Sequence, residues 1–144
     1  MDHGPEEFAS EARRFARALT PHPEHATVVV LSGELGAGKT TFVQEMATAL
    51  GVAETVTSPT FVLEKIYQLK GQKFPHLIHI DAYRLKGAHE LEALGWKELL
   101  QNVGNLIVLE WPERVADRVP EDAIRITLTG SGDTRKISYG SKET

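Results

Sequence analysis

The chain has 144 residues, 41% of them hydrophobic and 25% charged, with a net charge of −4 and no cysteine. These figures exclude a disulfide framework, thiolate chemistry and an overall basic field for gripping nucleic acid. They predict one soluble domain over residues 1–144, long enough to bury roughly 68–70% of its unfolded surface.

Residues 6–19 predict an amphipathic helix, with Phe8, Ala12, Phe15, Ala16 and Leu19 on one face. The segment before it is acidic and lacks the basic and apolar regions of a signal peptide. Thr20-Pro21-His22-Pro23 stops the helix. Residues 26–31, Ala-Thr-Val-Val-Val-Leu, are β-branched and apolar and read as a buried strand. Next comes Gly33-Glu34-Leu35-Gly36-Ala37-Gly38-Lys39-Thr40, a full match to the phosphate-binding pattern G-x-x-x-x-G-K-[ST]. Residues 41–50 continue as a helix that Gly51 can end. Thr57-Ser58-Pro59-Thr60 reads as a loop and residues 61–69 as a strand. After a turn at Lys70-Gly71-Gln72-Lys73, residues 76–81 form a second strand, making a hairpin. Residues 90–100 carry two short helical pieces around Gly95. Residues 106–110 are apolar up to Glu110 and predict a central strand. Residues 122–128 and 135–139 read as two more strands, separated by a turn at 129–133. No stretch approaches the length of a membrane span. The expected fold is α/β: a P-loop NTPase-like three-layer sandwich, its mixed sheet having a parallel core and added antiparallel strands.

Strand, glycine-rich loop and helix occur in the order a P-loop requires. The backbone N–H groups of Gly36, Ala37 and Gly38 would cradle phosphate, aided by the helix N-terminus. Lys39 would reach the β- and γ-phosphates, and the Thr40 hydroxyl would coordinate Mg²⁺. Thr41 is either a further phosphate donor or an ordinary first-turn residue. Two acids end apolar strands, Asp81 and Glu110. An acid in such a place needs a partner. One would hold Mg²⁺ and the other orient the attacking water, unless they are cap or ion-pair residues beside Arg84 or Arg114. Thr60 sits where a γ-phosphate sensor would lie, or else in an ordinary proline turn. His76 and His79 face opposite sides of their strand and receive no role. Trp111 reads as a half-buried structural residue. No Asn-Lys-x-Asp string is present and no Asp-x-x-Gly follows Asp81, so elimination favours ATP over GTP.

Several separate strings together resemble the bacterial TsaE (YjeE-type) ATPases. They are Gly33–Thr41, Ser58-Pro59-Thr60-Phe61, His79-Ile80-Asp81-Ala82-Tyr83-Arg84-Leu85, Glu92-Ala93-Leu94-Gly95 and Leu109-Glu110-Trp111-Pro112-Glu113. The resemblance is close over residues 26–115 and looser beyond. It implies an ATPase that serves the machinery installing N6-threonylcarbamoyladenosine at position 37 of tRNA. Such a protein acts with the proteins TsaD and TsaB in the cytoplasm, and meets tRNA indirectly, through the complex. By the same resemblance Thr40 and Glu110 bind Mg²⁺, Asp81 sits at the nucleotide, Ser58-Pro59-Thr60 is switch-like and Trp111 borders the site. The turn at Gly132 is placed toward the base. The family often has a Thr near the adenine where this chain has Phe8. Two other readings of the same P-loop are a small-molecule kinase and an adaptor that binds nucleotide without needing to hydrolyse it.

Overall fold

The computed structural model describes residues 2–34, 37–52, 64–69, 73–83, 85–131 and 134–140. In chain order its elements are β1 (Asp2–His3), α1 (Pro5–Ala18), β2 (Thr27–Ser32), α2 (Lys39–Ala49), β3 (Glu64–Gln68) and β4 (His76–Asp81). There follow α3 (Ala88–Ala93), α4 (Trp96–Gln101), β5 (Asn105–Glu110), a 3-10 segment (Pro112–Arg118), β6 (Ile124–Ser131) and β7 (Thr134–Gly140). Strand and helix ends fall within a few residues of the expected ones. The two-residue β1 and the 3-10 segment were not foreseen. The loop 57–60, the start of the 61–69 strand and the turn at Lys70, Gly71 and Gln72 lie outside the described residues.

The strands form one sheet in the order β1-β7-β6-β2-β5-β4-β3. β6, β2, β5 and β4 run parallel, and β7, β1 and β3 are added antiparallel at the two edges. The fold is therefore the expected mixed sheet with a parallel core. Alternation along the strands explains the three layers. Val29, Leu31, Leu106, Val108 and Leu77 point to one face and pack under α1 and α2 through Phe8, Phe15, Phe42 and Met46. Val28, Val30, Ile78, Ile80, Ile107 and Leu109 point to the other, under Leu91, Trp96 and Val115 of α3, α4 and the 3-10 segment. β5 is buried along its whole length because both faces are covered. The four parallel strands end together on one side, which is where α/β sheets hold ligands.

β3 is an edge strand with one unusual charge. The Glu64 Oε2 atom is buried and has no hydrogen-bond partner among the described residues. Burial pushes this carboxyl above the usual range. An acid whose folded pKa exceeds its unfolded value destabilises the fold while ionised. That penalty is present above the folded pKa and is relieved as pH falls through it. Glu64→Gln is therefore expected to melt higher than the parent at about pH 8, the advantage shrinking toward about pH 4. Paired thermal melts across this range check it; a variant less stable at the alkaline end contradicts the reading.

Candidate active site at the carboxyl ends of the parallel strands

The turn from β2 into α2 needs its glycines for two different reasons. Gly33 has φ 151°, and a Cβ there would stand 2.5 Å from the carbonyl oxygen of Leu128 on β6. Gly38 has φ 101°, and its Cβ would meet Phe8 Cζ and Arg135 Nε, each at 3.2 Å. At Gly33 a side chain would collide with backbone, and at Gly38 the positive φ strains any residue but glycine. Gly38 is also the N-cap of α2, so the helix starts at Lys39 with its free N–H groups and positive dipole end facing the loop. Ala37 is buried, Thr40 partly buried and Thr41 exposed.

Lys39 is only 6% exposed. Its ammonium donates to the carbonyl oxygens of Gly33 and Glu34, the latter at 3.1 Å, and lies 4.2 Å over the Trp111 ring. Burial lowers its pKa, against the raising influence of Glu110, Asp81 and Glu113. The lysine is thus a desolvated cation looking toward acids.

Those acids are placed by strand register. Leu31 pairs with Glu110 across β2 and β5, and Glu110 with Asp81 across β5 and β4. Paired residues share a face, so both carboxyls project beside the P-loop, on the α2 side. Glu110 is buried and takes a hydrogen bond from His79 Nε2 at 2.5 Å. His79 is itself fully buried, and its Nδ1 has no partner among the described residues. Asp81 is half-buried and accepts the Tyr83 N–H at 2.9 Å. Burial raises the Asp81 pKa; the Tyr83 bond, His79 and Lys39 oppose that, while Glu110 adds to it.

The chain after Glu110 turns sharply. Trp111 has φ 61°, the one non-glycine residue with positive φ among the described residues. A bulky residue there stores strain of order 1–3 kcal/mol. Its N–H bonds to the Leu31 carbonyl at 3.2 Å, tying the turn to the end of β2. The ring packs against Tyr83 at 4.9 Å, and the Arg114 guanidinium lies 5.4 Å from the Tyr83 ring centroid.

The structure brings Lys39, Asp81, Glu110 and Trp111 together, with Ala37, Gly38 and Thr40 at the start of α2. Gly36, Thr60 and Gly132 lie outside the described residues. Two features escaped the sequence reading. The sequence pattern assigns His79 no role, yet His79 donates to Glu110; its place on the same strand face as Asp81, beside an acid-ended strand, is the signal that points to it. Arg135 reaches the flank of Gly38 from β7, and only the tertiary fold brings it there. Lys73, just before β4, donates to the Arg17 carbonyl.

Chemically, the arrangement offers backbone N–H groups and an ammonium for an anion. It also offers oxygen donors, from Thr40, Glu110 and Asp81, for a hard cation. The all-oxygen set suits Mg²⁺, which coordinates carboxylate, hydroxyl and phosphate oxygens. The buried Glu110 carboxylate, with one oxygen taken by His79, fits such an ion.

The family model described as threonylcarbamoyl adenosine biosynthesis protein TsaE matches residues 6–137. A protein of Streptomyces coelicolor described as tRNA threonylcarbamoyladenosine biosynthesis protein TsaE is 40% identical over 124 residues, covering 85% of this chain and 82% of its own. A protein of Treponema pallidum with the same description is 38% identical, covering 94% and 92%. A crystal structure of Bacillus subtilis YdiB superposes with a TM-score of 0.75 at 28% identity, covering 96% of this chain and 82% of that one.

Proposed function

The chain belongs to the TsaE family, and on that premise we propose that it is the Mg²⁺-dependent ATPase subunit of the tRNA threonylcarbamoyladenosine machinery, acting with TsaB and TsaD in the cytoplasm as a single P-loop domain. The observation that carries the reading is the row Leu31, Glu110, Asp81, which sets two carboxyls beside a buried Lys39 at the mouth of a P-loop. For Glu110, the contact made among the described residues is with a histidine and not with an arginine. Glu110 accepts a hydrogen bond from His79 Nε2, and the Arg114 guanidinium lies 5.4 Å from the Tyr83 ring centroid.

In this mechanism the N–H groups of the loop from Gly36 to Gly38 bind the phosphates of ATP, with Thr41 as a further donor at the helix start. Lys39 takes the β- and γ-phosphate oxygens, neutralising charge as the terminal phosphoryl group departs. Thr40 and Glu110 would hold Mg²⁺, and the ion would supply positive charge for the phosphate oxygens. Asp81 lies beside the nucleotide and positions the attacking water. His79 keeps the Glu110 carboxylate in one orientation through its Nε2–H. Trp111 covers the lysine and limits water around it. Thr60 and Gly132 would add further contacts to the nucleotide.

Phosphate release measured with and without TsaB and TsaD, alongside tRNA modification, tests the proposal. Weak hydrolysis alone and marked stimulation by the two partners are expected. Hydrolysis that the partners leave unchanged, with no association, overturns it. Transfer of labelled γ-phosphate to an acceptor would favour the kinase reading instead.

A further inference from the structure

Three ligand-type side chains converge at the end of the sheet away from the P-loop. His22 and His25 lie in the connection between α1 and β2, and Asp122 lies just before β6. β2 and β6 are adjacent parallel strands, so their starts stand side by side. The six residues of β2 separate this cluster from Gly33, a span of about 20 Å. One ligand atom from each of the three side chains lies within 4.8 Å of the other two.

The hydrogen bonding gives the cluster its chemistry. His25 Nδ1 is 2.6 Å from the Ala26 carbonyl oxygen, so Nδ1 carries a proton and donates it. Its Nε2 then faces Asp122 Oδ2 at 2.9 Å. Either a proton on Nε2, making an imidazolium–carboxylate pair, or a metal ion in that proton's place completes this contact. His22 Nε2 stands 3.6 Å from the same Oδ2, and the two imidazole rings stack with centroids 3.7 Å apart. Two stacked rings sharing one carboxylate oxygen are poorly arranged for two protons, because imidazolium rings in contact repel. One ion held by both nitrogens and the carboxylate satisfies all three groups.

We propose that His22, His25 and Asp122 form a binding site for a single transition-metal dication of the zinc class. Two imidazoles and one carboxylate suit zinc, not magnesium. The Nδ1–H bond from His25 to the Ala26 carbonyl is the kind of outer contact that fixes a metal-binding tautomer. His22 needs one adjustment. Its Nδ1 accepts the Glu24 N–H at 3.0 Å, so ligation through Nε2 moves the ring proton to Nδ1 and turns that N–H to solvent. The stacked rings also splay, because a tetrahedral ion does not take parallel ligands. Both movements occur on a partly exposed connection. The three side chains line an open groove of about 240 Å³ together with Thr20, Pro21, Thr27 and Ile124, which leaves room for a further ligand. The ion ties together segments 97 residues apart in sequence, and so stabilises the fold by binding only its folded form.

Titration of the full chain with Zn²⁺, in buffer free of nucleotide and Mg²⁺, tests this. One equivalent binds at micromolar affinity or tighter, raises the melting temperature and resists excess Mg²⁺. His25→Gln and Asp122→Asn each weaken binding by about tenfold or more. Glu110→Gln, at the opposite end of the sheet, leaves it unchanged. That variant matters because His79, Glu110 and Asp81 are the other place a zinc ion could go. Metal-free melts show whether the variants are folded, and Co²⁺ absorption of the parent chain reports imidazole ligation without any variant. No stoichiometric binding, binding insensitive to both cluster variants, or binding lost in Glu110→Gln overturns the proposal and leaves the cluster a His25–Asp122 ion pair.

Discussion

Glu110→Gln is expected to lower ATP turnover by about two to four orders of magnitude, with nucleotide affinity changed by about tenfold or less. The substitution keeps shape and volume. The glutamine oxygen still accepts the His79 Nε2–H, so the side chain stays where the 2.5 Å contact puts the glutamate. What is lost is the negative charge, in a buried place where charge is poorly screened. In the proposed mechanism that charge serves the departing phosphoryl group and its metal, and is needed most in the transition state. Binding of the ground-state nucleotide rests mainly on the P-loop N–H groups and Lys39. His79→Ala removes the orientation but leaves the charge, so its loss should be smaller, about 10- to 100-fold. Single-turnover hydrolysis combined with equilibrium nucleotide binding separates these effects. A Glu110→Gln chain that hydrolyses ATP within about threefold of the parent would remove Glu110 from the mechanism. A chain that binds ATP, no longer hydrolyses it and still supports tRNA modification would favour the adaptor reading.

The sequence carried most of the fold because its period signals were clean. The apolar run ending at Glu110 announced a strand covered on both faces, and β5 lies between β2 and β4. The hairpin of β3 and β4, and the split of residues 90–100 at Gly95, were equally plain in turn chemistry. The 3-10 segment was not readable, since Pro112–Arg118 has neither a helical stripe nor strand alternation, and its shape follows from the left-handed turn at Trp111. The acids were readable as strand-end residues, but which face they shared depends on register. Register is a pairing property, and no single strand states it. The same holds for His79. Its position two residues before Asp81 puts it on the Asp81 face, but only the pairing of β4 with β5 puts Glu110 there too. The His22–His25–Asp122 cluster joins two distant stretches, so its third member was invisible in the local string Pro21-His22-Pro23-Glu24-His25.

Lys39→Met is expected to weaken ATP binding by about two orders of magnitude or more. Methionine keeps the length and the apolar stem while removing the ammonium. Hydrogen bonds to charged groups contribute about 1.5–3 kcal/mol each, and about 1.4 kcal/mol is a factor of ten, so losing two phosphate contacts accounts for the size. The effect on folding should be much smaller. The ammonium is desolvated, and its partners in the fold are the Gly33 and Glu34 carbonyls and the Trp111 ring, so gain and cost largely offset. The contrast between the two losses identifies a binding lysine and distinguishes it from a structural one. Intrinsic fluorescence can read the binding, because the chain has two tryptophans. Trp96 is sealed on the far face with its Nε1–H on the Arg118 carbonyl, whereas Trp111 lies under the Lys39 ammonium. When ATP draws the ammonium toward phosphate, the Trp111 ring loses its cation and its emission shifts. In Lys39→Met there is no cation to withdraw, so saturating ATP should leave emission nearly unchanged even where residual binding is detected by dialysis. A variant with parental affinity and a parental fluorescence response would place Lys39 outside the phosphate site and make the buried ammonium a support for the loop alone.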